Sequence, residues 1–479
     1  MLFNRRFERT GMEEQLENDL AYFSARELVE CYRRQDLSPI EVTRTMLERI
    51  ERLNPQLNAI YHLSTEAALR QAAASEARWR RGEPAGPLDG VPTTVKDALP
   101  TAAMPSYRGS SVTPDDGVTG DWDAPAVARL KESGCVVMGK STMCDYGIVA
   151  GSVSSRHGVT RNPWDLTRSA GASSAGAAAS VAAGLSPLTL GTDIVGSIRI
   201  PASFCGLVGL KPSYGRVPYY PPSNPALVVG PMARDTADVA LLLDVIAQPD
   251  SRDFTALPAR QSDYLSQLDR GACGLRARLI TDLGFGLALD PAVLECVTAA
   301  ARALQAAGLS VDDPRVEAFD IRSVDLAESY YRARCYAELN KSERSRQPRS
   351  PLLWRWTRPA ERESAEHVLD AQGAMLALRE KTMRLIDGYD FLLLPTVPSP
   401  PFAAELAAPD EERLFDPWCN TFLFNLTEQP ALSINCGFTP QGLPVGLQIV
   451  GRRYDDLGVL QLGRTYETVR APQRPWPRL

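Results

Sequence analysis

Between Ser169 and Ser180 the chain reads SAGASSAGAAAS, three small residue types without a charge. Few segments restrict a fold more. Side chains this small let backbone approach backbone, or a reacting group, more closely than ordinary residues allow. Two readings stand at this point: the segment is tight packing and nothing more, or it surrounds a site. The residues after it bear on the choice. Ser173 and Ser174 sit in the Gly/Ala turn that opens an Ala-rich helix. A strand, SPLTLGTD (Ser186 to Asp193), comes next, and Ser197 follows Gly196 just past it. A serine on a tight glycine turn after a strand can present its hydroxyl while successive backbone N–H groups converge on one point. Main chain builds an oxyanion hole in this way.

A nucleophilic serine needs a base, and histidine is scarce. The whole supply is His62, His157 and His367. His62 and His367 read as surface or satisfied core residues. Neither has a Cys or His neighbour at metal-ligand spacing, so no metal site is expected. Lysine offers another route. Lys96 ends the otherwise apolar strand TTVKDA (Thr93 to Ala98). Burial disfavours the charged form of lysine, and a neutral lysine can take the proton of a serine hydroxyl.

The bulk of the chain excludes other classes. Its 479 residues carry a net charge of −6, and no basic tract stands out, which argues against a nucleic-acid surface. The Arg-rich run ERSRQPR (Glu343 to Arg349) reads as a solvated loop. No apolar run approaches the roughly 20 residues of a membrane span, and the charged start lacks a secretory signal. The nine cysteines are scattered without a CxxC pair and read as reduced, buried thiols of a cytoplasmic protein. Whether the residues before Met12 are a leader or a tail stays open.

Along the chain, residues 22 to 80 read helical, with Ser38 as N-cap and Pro39 opening one helix. Strands and helices then alternate: DGVPTTVKDA, CVVMGK, SPLTLGTD, VGLKP, RARLITD, DFLLLPT and GLPVGLQIVG as strands, with helices between them. The expected fold class is α/β, a large mixed and mostly parallel sheet with helices on both faces. One compact domain is expected, its residues 1–80 forming an N-terminal helical segment on the 81–479 core. GCVVMGKS (Gly134 to Ser141) fits the P-loop pattern but not its context. Its middle residues are strand formers and a helix precedes it, so nucleotide binding is not expected.

Taken together, GVPTTVKD (Gly90 to Asp97), RNPWD (Arg161 to Asp165), GASSAGAAASVAAG (Gly171 to Gly184), LGTDIVGSIRIPASFCGLVGLKPSYGRVP (Leu190 to Pro218), DFLLLPT and GLPVGLQIVGRRYDD resemble the amidase signature family of serine hydrolases. The resemblance is dense from about residue 85 to 220 and thinner in the last third. It implies a triad of Lys96, Ser173 and Ser197, with a cis peptide entering Ser173. Ser197 is the implied nucleophile, Ser173 the proton relay and Lys96 the base. The backbone N–H groups of Ile194, Val195, Gly196 and Ser197 are the implied oxyanion hole, and Ser174, Asp193 and Arg199 support the loop. No cofactor is implied.

Departures carry information. Ala172, Ala175 and Val195 stand where the family usually has Gly. Val195 is the serious one, because Gly there permits unusual φ; it is expected to narrow the pocket. Tyr146 is expected to line that pocket. Leu352, Leu353, Trp354, Trp356, Trp418 and Phe422 suggest an apolar or aromatic substrate. The implied reaction is hydrolysis of a small amide, anilide or carbamate, with esters as a side activity, by a monomer or homodimer. Two alternatives remain. One is the glutaminase-type subunit of a tRNA-dependent amidotransferase. That subtype usually has Gln where this chain has Ile200, and a SLDQ-like segment where it has PALVVGP. The other is a catalytically weakened binding or scaffold protein.

Overall fold

Ser24 and Ser38 start the helices Ala25–Arg34 and Pro39–Leu57, each through a reciprocal bond with the glutamate three residues on. The computed structural model describes residues 20–221, 226–259, 263–343 and 350–479. The stretch before Met12, the Arg-rich run over 344–349 and part of the 248–263 loop lie outside them.

Eleven strands form one sheet: β1 Ile60–Leu63, β2 Pro92–Lys96, β3 Val136–Ser141, β4 Leu188–Asp193, β5 Val208–Lys211, β6 Val228–Ala233, β7 Arg276–Leu279, β8 Ser310–Asp312, β9 Phe391–Pro395, β10 Ala431–Phe438 and β11 Pro444–Val450. Their spatial order is β1-β3-β2-β4-β6-β5-β10-β11-β9-β7-β8. The fold is a single α/β domain with a mixed sheet, as expected. The share of parallel pairing is not. Six neighbouring pairs are antiparallel and four are parallel. The strands absent from the sequence reading explain the difference. β1, β6 and β10 make antiparallel pairs with each of their neighbours.

β1 also revises the N-terminal segment, which is not wholly helical. Asn54 accepts the N–H groups of Ala59 (2.8 Å) and Ile60 (2.9 Å) and donates to the Ile60 carbonyl (2.7 Å). Asn58 takes a left-handed φ of 52°. These bonds end the helix and turn the chain into an edge strand of the main sheet, so the segment is part of the sheet. The pseudo-P-loop is β3, a buried strand after the Pro125–Glu132 helix. Cys273 is exposed, unlike the six buried cysteines. Among the described residues no helix is long and apolar enough to cross a membrane.

Two features of this sheet position the site. β2 and β4 are parallel neighbours in register Thr93↔Leu188 to Val95↔Leu190, so their C-terminal ends emerge side by side. Behind them the Ala175–Ala182 helix has every residue buried. Its packing is close. A Cβ on Gly176 would press into the Ala59 carbonyl oxygen and into Thr142. Alanine is the better helix former by about 1 kcal/mol, but that collision is with backbone. Gly176→Ala is therefore expected to destabilise the fold by about 1–3 kcal/mol, read as a lower urea midpoint at unchanged slope.

Candidate active site

Lys96 is the last residue of β2 and is fully buried. Its Nζ lies 2.8 Å from Ser173 Oγ, 2.9 Å from Ser174 Oγ and 2.8 Å from Thr192 Oγ1, and donates to the Thr192 carbonyl at 3.3 Å. Burial pushes the amine down from its ordinary 10.5 to about 7. The Cys144 thiol and the Asp193 and Asp97 carboxylates pull the other way, and Arg108 adds to the lowering. The Ala172–Ser173 peptide is cis. The N–H of Ser174 donates to the Ser197 carbonyl at 3.2 Å, which ties the two serine segments together.

The loop after β4 is held from below by Asp193. Its carboxylate accepts the N–H of Gly196 (2.8 Å) and of Ile198 (3.1 Å). Arg199, fully buried, donates to both carboxylate oxygens at 2.9 and 3.0 Å. Burial alone would raise this carboxyl, but the Arg199 charge and hydrogen bonds, helped by Asn425, hold it at about 2. Arg199 also donates to the Thr421 carbonyl and to Gln448. The Thr421 hydroxyl donates to the Val195 carbonyl.

These bonds revise two readings of the loop. The Gly196 N–H is committed to Asp193, so it is not available to an oxyanion. The N–H groups of Ile194, Val195 and Ser197 remain as candidates. The position that requires glycine is Gly196, whose φ is +136° and whose Cβ would collide with Thr421. Val195 is not among the residues with positive φ. It lines instead a cavity of about 210 Å³, together with Ile194, Tyr331, Met375, Phe415 and Phe422.

Tyr146 is buried in the apolar cluster that holds Val195 and Ala172, 5.4 Å beneath the Arg108 guanidinium, and does not line this cavity. Trp356 and Trp418 are also buried. They pack on Tyr331 with ring centroids 6.1 and 5.6 Å away, and so brace the cavity wall from behind. Leu352, Leu353 and Trp354 do not line it, and Phe422 does. Their composition gave no means of separating wall from backing. Thr192, Thr421, Asn425 and Gln448 were not singled out from the sequence. Thr192 stands in the GTD segment beside a strand end, a usable signal. The others lie more than 200 residues from Asp193 and carry no local signal.

With this geometry in view, relatives are informative. The family model Amidase matches residues 41–460. The acylamidase of Rhodococcus erythropolis is 33% identical over 481 residues, 96% of this chain and 97% of the relative. The A subunit of the glutamyl-tRNA(Gln) amidotransferase of Myxococcus xanthus is 34% identical over 459 residues, 90% of this chain and 94% of the relative. Among solved structures, a bacterial aryl acylamidase of the amidase signature enzymes superposes with a TM-score of 0.85 at 28% identity, covering 94% of this chain and 97% of that one. Fold and sequence together define an amidase signature amidohydrolase. The chain belongs to the amidase family.

The buried Asp193–Arg199 pair gives a test of the scaffold. Arg199→Met leaves a buried carboxylate without its cation, a change of about 3–5 kcal/mol. The expected result is a clear drop in Tm, largely relieved by adding Asp193→Asn. Because the Asp193 carboxyl titrates at about 2 in the fold against an ordinary 3.8, its contribution is full above about pH 4 and is lost as pH falls toward 2.

Proposed function

We propose that the protein hydrolyses the C–N bond of small amides, anilides or carbamates through an acyl-enzyme on Ser197. The observation that carries this reading is a lysine poised near neutrality within 2.8 Å of the Ser173 hydroxyl. A neutral amine has two N–H donors and one lone pair. The Thr192 carbonyl can only accept, and the Ser174 hydroxyl can direct its own proton to the same carbonyl at 3.4 Å. Both arrangements draw on the amine's donors and leave its lone pair for one of the two hydroxyls at 2.8 Å, Ser173 or Thr192; the relay uses Ser173.

The steps follow from that assignment. Ser197 Oγ attacks the carbonyl carbon and its proton passes to Ser173 Oγ, as the Ser173 proton passes to Lys96 Nζ. The oxyanion forms against the backbone N–H groups of Ile194, Val195 and Ser197. Lys96 then returns the proton through Ser173 to the departing nitrogen. Water attacks the acyl-enzyme by the same relay, releasing the acid. Asp193 and Arg199 position the loop and take no proton. Esters fit the same path.

A second reading is favoured by the amidotransferase subunits among the relatives, whose identity to this chain is as high as that of the acylamidase. Against it stands Ile200, fully buried where that subtype carries a glutamine. Affinity purification from the native cell separates the two: a free hydrolase turns over small amides alone, whereas an amidotransferase component brings its partners with it.

Labelling with a fluorophosphonate, followed by peptide mapping, tests the nucleophile. The probe is expected on the Ser197 peptide alone and absent in Ser197→Ala; labelling elsewhere would overturn the assignment. Because Lys96 must be neutral to act, kcat/KM on an anilide is expected to rise about tenfold per pH unit below 7 and to level off above it. Lys96→Ala should lower kcat by about 10²–10⁴. A profile that peaks in acid would refute a lysine base.

A further inference from the structure

The cavity beside the nucleophile loop is mostly apolar, yet its wall holds two arginines, Arg334 and Arg379. Among the described residues Glu428 is the one carboxylate in that wall. It is shared. Arg379 lies 3.2 Å from one oxygen, and Arg453 binds the other from outside. Arg334 is served less well. Its Nη1 stands 3.7 Å from Glu338, and that carboxylate is held more closely, at 2.5 Å, by Arg108. The buried Nε–H of Arg334 makes no hydrogen bond among the described residues. Four guanidinium groups therefore share two carboxylates, and two of the four, Arg334 and Arg379, stand in the cavity wall with Val195, Met375, Phe415 and Phe422.

The Arg334 side chain is 27% exposed, so an anion reaching it from the cavity could take up the bonds its neighbours leave unmade. Guanidinium groups pair best with planar carboxylates. Arg334 extends over the Tyr331 ring, with its guanidinium carbon 5.0 Å from the centroid, which holds the side chain against the cavity wall. The cavity begins at Ile194 and Val195, three and two residues before Ser197, and reaches the exposed Leu376. A ligand filling it would put one end at the nucleophile loop and its body among apolar side chains.

Resting on the hydrolase reading above, we infer that the preferred substrate is an amide whose apolar chain or ring carries a carboxylate away from the scissile bond, with Arg334 as the residue that selects it. Arg379 contributes less, being already paired with Glu428.

The test uses two series of anilides on the full-length protein. In one the acyl chain ends in a carboxylate; in its partner set an isopropyl group replaces that carboxylate. In the other series the carboxylate is on the anilide ring, with a methyl group in the partner set. The expected result is a kcat/KM ratio of acid to neutral isostere of about tenfold or more in one series. That ratio should collapse in Arg334→Met, recover in part in Arg334→Lys and shrink with added salt. Neutral isosteres preferred in both series, or a ratio indifferent to Arg334→Met, would overturn the inference. Calorimetry with the acid anilides and Ser197→Ala protein needs no turnover. Binding lost in Ser197→Ala/Arg334→Met supports the carboxylate site even if hydrolysis fails. Turnover of neutral anilides without carboxylate preference leaves the hydrolase reading and removes this one.

Discussion

The site depends on one amine kept out of water. Lys96 ends a strand whose parallel neighbour ends in Thr192 and Asp193, and the register of that pair sets where the amine and its carbonyl partner meet. Ser173 and Ser174 reach the same amine from the turn before a helix packed on the sheet. Desolvation disfavours the ammonium form, and this sets the amine near 7. The buried helix and its small residues serve to enclose it. A looser enclosure would admit water and return the lysine to its ordinary charge.

A second interaction holds the nucleophile loop. Asp193 and Arg199 form a buried pair whose remaining hydrogen-bonding groups are used on backbone and on Asn425, Thr421 and Gln448. A buried ion pair is weak evidence for stability in itself. Here its geometry matters more: it fixes the direction of two N–H groups of the loop, those of Gly196 and Ile198. The Gly196 conformation belongs to the same arrangement. Val195, by contrast, needs no special backbone and acts through its side chain, as part of the cavity wall.

Much of this was legible in local sequence. The Ser38–Pro39 helix start, Lys96 at a strand end and the P-loop mimic that lacks its context each depend on a few neighbouring residues. β1, β6 and β10 were not legible in the same way. β1 is four residues long and lies between two helices, and only the bonds of Asn54 turn the chain there. β6 lies between β4 and β5, and β10 joins the distant β5 to its own successor β11, so both are placed by pairing and not by local pattern. The places of Tyr146 and Trp418, neither of which lines the cavity beside Val195, were hidden for a related reason. An aromatic side chain looks the same in sequence whether it lines a cavity or supports its wall.

By itself the sequence determined the helix starts, several strands, the small-residue turn and the set of residues that mark the family. These follow from short-range propensities and motif spacing, which neighbouring residues settle between them. The tertiary structure alone decided which groups lose water and which charges meet. The surroundings of Lys96 bring together segments around residues 96, 144, 173 and 192, and the cavity joins Val195 to Arg334, Arg379 and Glu428. Both are properties of packed space, and chain order does not encode the distances on which they depend.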